Sequence, residues 1–104
     1  MSDEEFAALG PDRTLLLVDD DVPFLNRLAK AMEKRGFLPQ TAETVAQGKA
    51  IAQSRPPAYA VIDLRLEDGS GLDVVEALRE KRADARIVVL TGYGAIATAV
   101  AAVK

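Results

Sequence analysis

Leu15-Leu16-Leu17-Val18 is an unbroken apolar run that passes directly into three acids, Asp19-Asp20-Asp21. A run without polar alternation predicts a strand covered on both faces, as inside a parallel sheet. Asp21 as a cap, Pro23 in the first turn and Phe24, Leu25, Leu28 and Met32 at helical spacing then predict a helix from about Val22 to Arg35, ended by Gly36. Phe37 to Thr41 reads as a weak second strand at a sheet edge, because Pro39 cannot donate to a ladder. Thr44 to Ser54 reads as a second helix with Val45, Ile51 and Ala52 on its apolar side, broken by Pro56-Pro57.

The alternation continues. Ala58 to Ile62 is a third strand that ends in Asp63, and Leu64 to Gly71 is a loop. Leu72, Val75 and Leu78 form the inward stripe of a third helix. Arg86 to Leu90 is a fourth strand that runs into Thr91. Gly92-Tyr93-Gly94 turns the chain into an Ala-rich fourth helix, about Ala95 to Lys104, on which Ile96, Val100 and Val103 align. The order βαβαβαβα predicts an α/β fold, a doubly wound parallel sheet with right-handed crossovers and helices on both faces. Asp19/Asp20, Asp63 and Thr91 each close a strand, so parallel strands gather them on one rim, where ligands of such sheets bind.

Length fits one small domain: residues 1–13 read as a flexible acidic leader and 14–104 as the folded unit. Without Cys or His, the chain has no thiolate or imidazole metal site, no disulfide and no Cys/His nucleophile. A net charge of -3 gives no sign of a nucleic-acid surface in this segment. No apolar run approaches a membrane span, and Met1 to Pro11 is unlike a signal peptide, so a cytoplasmic home is the simplest reading.

One acid at a strand-to-helix turn is explained by capping alone; the others are a surplus. Two like charges about 4 Å apart repel by roughly 4 kcal/mol at an effective dielectric of 20, so the cluster points to a cation site or to acid chemistry. Oxygen ligands without nitrogen or sulfur suit a hard divalent cation such as Mg²⁺. A carboxylate beside such a cation can attack a phosphoryl group, and Thr91 is placed to donate to a phosphoryl oxygen.

These residues resemble the receiver domains of bacterial two-component response regulators, which have a flavodoxin-like sheet of strand order 2-1-3-4-5. Val18-Asp19-Asp20 is similar to that family's acidic pair, Val61-Ile62-Asp63 to its phosphoacceptor, Gly71 to the glycine after that loop, and Leu90-Thr91-Gly92 to its switch hydroxyl. The strings from Leu15 to Asp21, Lys30 to Gly36 and Ile87 to Lys104 further resemble the redox-responding RegA/PrrA/ActR branch. The resemblance implies that Asp63 is the nucleophile, that Asp20, Asp63 and the Arg65 backbone carbonyl ligate Mg²⁺, and that Asp19 acts through a coordinated water. It implies a sensor histidine kinase as phosphoryl donor, and a C-terminal helix-turn-helix domain, absent here, as the part that binds DNA.

Two departures stand out. Glu67 occupies a position where many receivers carry Pro, which predicts a looser, more acidic loop. The family's essential Lys and switch aromatic follow a fifth strand, and the chain stops at Lys104, so the fifth strand and helix are expected to be missing. The apolar edge of Arg86 to Leu90 would then be open, which predicts self-association as a dimer or as a dimer that exchanges the fourth helix between copies. Two rival functions are a haloacid-dehalogenase-like phosphatase, whose Asp-x-Asp-x-Thr/Val motif meets Pro23 at its last position, and a receiver-like interaction module without phosphorylation. A flavodoxin-like cofactor binder is a poorer match, since the acids after the first strand would repel phosphate.

Overall fold

Strand β1, Thr14–Val18, buries residues on both sides of its pleat. Leu15 and Leu17 face a cluster with Leu25 and Phe37, while Leu16 and Val18 face a larger one with Val45, Ala52, Val74 and Leu78. That two-sided burial is why the run carries no polar alternation, and each such side chain contributes roughly 1.5–3 kcal/mol. The computed structural model describes residues 11–90 and the backbone of residues 96–100.

Helix α1, Val22–Lys34, follows and covers one face through Leu25, with Leu28, Ala29 and Met32 packed beside it. Its end is a Schellman turn: Gly36 at φ 91° donates its N–H to the Glu33 carbonyl, and the Phe37 N–H to the Met32 carbonyl. Phe37, expected in the second strand, instead enters the core edge-on to Tyr59, with ring centroids 5.4 Å apart. Strand β2, Leu38–Ala42, lies at the sheet edge as Pro39 requires. Helix α2, Val45–Ser54, is capped by Thr44, whose side chain accepts from the Gln47 N–H at 3.1 Å.

Strand β3, Tyr59–Asp63, carries Asp63 as its last residue. The expected loop 64–71 holds a short antiparallel hairpin, β4 (Arg65–Leu66) with β5 (Gly69–Ser70). Helix α3, Leu72–Lys81, presents Val74, Ala77 and Leu78 to the core. Of the expected stripe of Leu72, Val75 and Leu78, Leu78 is buried and Val75 packs against the core, while Leu72, the first residue of the helix, is half exposed. Strand β6, Arg86–Leu90, pairs parallel to β3. The parallel order β2-β1-β3-β6 is the expected 2-1-3-4, with α1 on one face and α2 and α3 on the other.

Two expectations fail at the far edge. Residues Ile96–Val100 form strand β7 rather than part of a fourth helix, and pair antiparallel with β6. Ala favours helix, but Ile96, Thr98 and Val100 are β-branched at alternate positions, and the edge of β6 offers a ladder of backbone partners. A register shift between Val89 and Leu90 marks a bulge in that pairing. The β6 edge is thus occupied by the same chain, which removes both the open edge and the exchanged helix as grounds for self-association.

The opposite, N-terminal rim of the sheet is fixed by Asp12. Its carboxylate accepts from the Thr14 hydroxyl at 2.6 Å and the Thr14 N–H at 3.0 Å, and pairs with Arg82 Nη1 at 2.8 Å. Arg82 also donates to the Pro56 carbonyl at 3.2 Å. The hydroxyl bond from Thr14 above all holds the Asp12 carboxyl down at about 2. A lowered carboxyl stabilises the fold above its ordinary value of 3.8 and loses that effect as pH falls toward about 2. Asp12→Ala should therefore cost ~1 kcal/mol at neutral pH after solvent screening, and denaturant titrations should show the deficit closing between those two values.

Candidate phosphoacceptor site

The acid rim is built by two strand ends. β1 delivers Asp19 directly after Val18, and the Asp19 N–H donates to the Ala42 carbonyl at 3.1 Å, which keeps the backbone extended one residue past the strand. Chain reversal into α1 then uses the acids differently. Asp21 is the N-cap, accepting from the Phe24 N–H at 3.1 Å, while Asp19 Oδ1 accepts from the Asp21 N–H at 2.9 Å. Asp20 stays exposed between them. β3 delivers Asp63, whose Oδ1 accepts from the Arg65 N–H at 3.3 Å.

Oxygens of Asp19, Asp20 and Asp63 lie within 4.8 Å of one another, although Asp63 is 44 positions from Asp19 in the chain. Asp19 is 8% and Asp63 9% exposed, and these are the buried charged residues among those described. Burial pushes the Asp19 carboxyl above the usual carboxylate range, with repulsion from Asp63 and Asp20 adding to it and the Asp21 N–H opposing it. Burial likewise raises Asp63, helped by the Asp20 charge and opposed by the Arg65 N–H. An all-oxygen donor set of this span, with crowded and partly dehydrated carboxylates, fits a hard divalent ion.

Of the residues singled out in the sequence, Asp19, Asp20 and Asp63 meet, and Arg65 sits at the start of the adjoining hairpin. Thr91, Tyr93 and Lys104 lie outside the described residues. Sequence reasoning missed Asp68, which the hairpin carries to the start of α2; the Asp68-Gly69 pair signals a turn but nothing in it signals so distant a partner. It also missed why Gly71 must be glycine. Its backbone is ordinary right-handed helix, but a Cβ there would enter the Asp63 carbonyl oxygen and stand 2.9 Å from Ile62 Cγ2.

Comparison with known proteins agrees with the fold. The profile of the response regulator receiver domain matches residues 15–104. The photosynthetic apparatus regulatory protein RegA of Cereibacter sphaeroides is 77% identical over 104 residues, covering all of this chain and 56% of that protein. The acid tolerance regulatory protein ActR of Rhizobium meliloti is 67% identical over 96 residues, covering 92% of this chain and 50% of that protein. The chain thus spans about half the length of these relatives. A response regulator protein from Burkholderia pseudomallei, solved with a phosphorylated aspartic acid, a calcium ion and citrate, superposes with a TM-score of 0.74 at 33% identity, over 81% of this chain and 49% of that one. With its parallel sheet, its profile match and its RegA and ActR relatives, the chain belongs to the response regulator receiver domain family.

Proposed function

We propose that Asp63 accepts a phosphoryl group from the phosphohistidine of a sensor histidine kinase. The convergence of Asp19, Asp20 and Asp63 at one strand rim carries this reading. An Asp63 carboxylate oxygen bonds to phosphorus while the phosphorus–nitrogen bond of the donor breaks and the histidine leaves with the electron pair. Asp20, Asp63 and the Arg65 carbonyl would hold Mg²⁺ directly and Asp19 through water; the ion would supply charge neutralisation at the phosphoryl oxygens. The Arg65 N–H engages Asp63 Oδ1, and the nucleophile is assigned to the other carboxylate oxygen. Thr91 directly follows Leu90, the sheet partner of Asp63, and is assigned the switch hydroxyl.

In this reading the chain is the cytoplasmic input half of a transcription regulator, with DNA bound by a separate C-terminal domain and a second receiver copy as a further partner. The phosphatase alternative is less well supported, because its second motif acid, Asp21, is engaged as the α1 cap. In a chain extended to the length of its relatives, acetyl phosphate with Mg²⁺ should add one phosphoryl mass, and Asp63→Asn should abolish the adduct. An adduct of equal yield in Asp63→Asn would refute the assignment, and repeated turnover of a phosphate monoester would favour the phosphatase.

A further inference from the structure

The segment after Asp63 is tied down at three places, two of them through backbone bonds. The Leu64 N–H donates to the Leu90 carbonyl at 2.8 Å, and the Gly71 N–H to the Leu64 carbonyl at 2.8 Å. The third tie is a side chain. Asp68, in the turn of the β4–β5 hairpin, accepts the Val45 N–H on Oδ1 at 2.8 Å and the Ala46 N–H on Oδ2 at 3.2 Å. A carboxylate that takes two first-turn amides on its two oxygens is a charge-assisted clamp at the positive end of the helix dipole. Thr44 already caps α2 through the Gln47 N–H, so the helix has its own cap and Asp68 instead fixes where the hairpin sits.

A continuous path leads from this clamp to the phosphoacceptor. In the hairpin Arg65 faces Ser70 and Leu66 faces Gly69. So short a ladder has little stability of its own, and its seat depends on buried Leu66 and on Asp68. The Arg65 N–H in turn touches Asp63 Oδ1. We propose that Asp68 is a positioning residue: by clamping the hairpin to the first turn of α2 it orients the Asp63 carboxylate, and so ties cation binding at the acid rim to the state of that turn. The cation part rests on the proposed function; the orienting part does not.

Asp68→Ala, Asp68→Asn and Thr44→Ala in the full chain separate these roles. Amide exchange at Arg65 and Leu66 is followed without metal, and MgCl₂ titration is followed by NMR. Asp68→Ala should speed exchange at Arg65 and weaken Mg²⁺ binding by about tenfold each, the loss expected for a charge-assisted hydrogen bond. Asp68→Asn, which keeps one acceptor, should fall between. Thr44→Ala should loosen the amide of Gln47 yet leave Arg65 exchange and Mg²⁺ affinity unchanged. Unchanged Arg65 exchange in Asp68→Ala, or equal effects from Thr44→Ala, would overturn the proposal. If the wild type binds no Mg²⁺, the proposed function falls, and the metal-free exchange alone decides for or against the clamp.

Discussion

Gly71→Ala is expected to lower the melting temperature by on the order of 10–20 °C, corresponding to about 3 kcal/mol of overpacking in a domain of this size. The added methyl group would collide with the carbonyl oxygen of Asp63 and crowd its carbonyl carbon at 2.9 Å and Ile62 Cγ2 at 2.9 Å. Relief requires moving either the end of β3, which is held by β1 and β6, or the start of α3, whose Val74, Ala77 and Leu78 are in the core. Neither shift is small. Gly69 provides the contrast: it has φ 147°, but a Cβ there meets only Val45 Cγ2 at an ordinary 3.6 Å. Gly69→Ala should therefore cost about 1 kcal/mol through backbone strain alone. Calorimetry on both variants checks the ranking, and a Gly71→Ala protein no less stable than Gly69→Ala would contradict the close packing on Asp63.

The second large effect lies in the pH and Mg²⁺ dependence of stability. Asp19 and Asp63 both have carboxyls raised above the ordinary 3.8, burial being the main cause. A raised carboxyl binds its proton more tightly in the folded than in the unfolded chain, so it penalises the fold at neutral pH. That penalty is relieved as pH falls through the raised value and is gone by the ordinary one. Asp12 works in the opposite sense, but only below 3.8. Metal-free protein should therefore be most stable on the acid side of neutrality, at pH above about 4. Millimolar Mg²⁺ should raise the melting temperature at pH 7 by roughly 5–10 °C and move the optimum toward neutral pH, because protons and cation compete for the same oxygens. Asp19→Asn keeps an acceptor for the Asp21 N–H and removes a buried charge. It should melt higher than the wild type without metal, by about 1 kcal/mol, and respond less to Mg²⁺. Melting curves from pH 5 to 8 test this; wild-type stability that falls steadily from pH 7 to 5 would count against the strained acid rim.

The strands Thr14–Val18 and Arg86–Leu90 were legible to within a residue, because an apolar run bounded by charges or turn formers nearly states its own limits. The α1 cap at Asp21 and the stop at Gly36 were legible for the same local reason: the partners lie within five residues. The parallel order of these strands, and with it the meeting of Asp19, Asp20 and Asp63, followed from the β-α alternation and the right-handed crossover. Other features depended on neighbours that no local pattern names. The close approach of Gly71 to the Asp63 carbonyl was one, and the state of 96–100, decided by the ladder that β6 offered, was another. Asp68 reads as a turn residue until the fold brings Val45 and Ala46, 23 and 22 positions earlier, to its two oxygens. Local pattern thus determines elements whose partners are near in sequence, whereas close packing and hydrogen bonds between distant segments exist only once the chain has closed on itself.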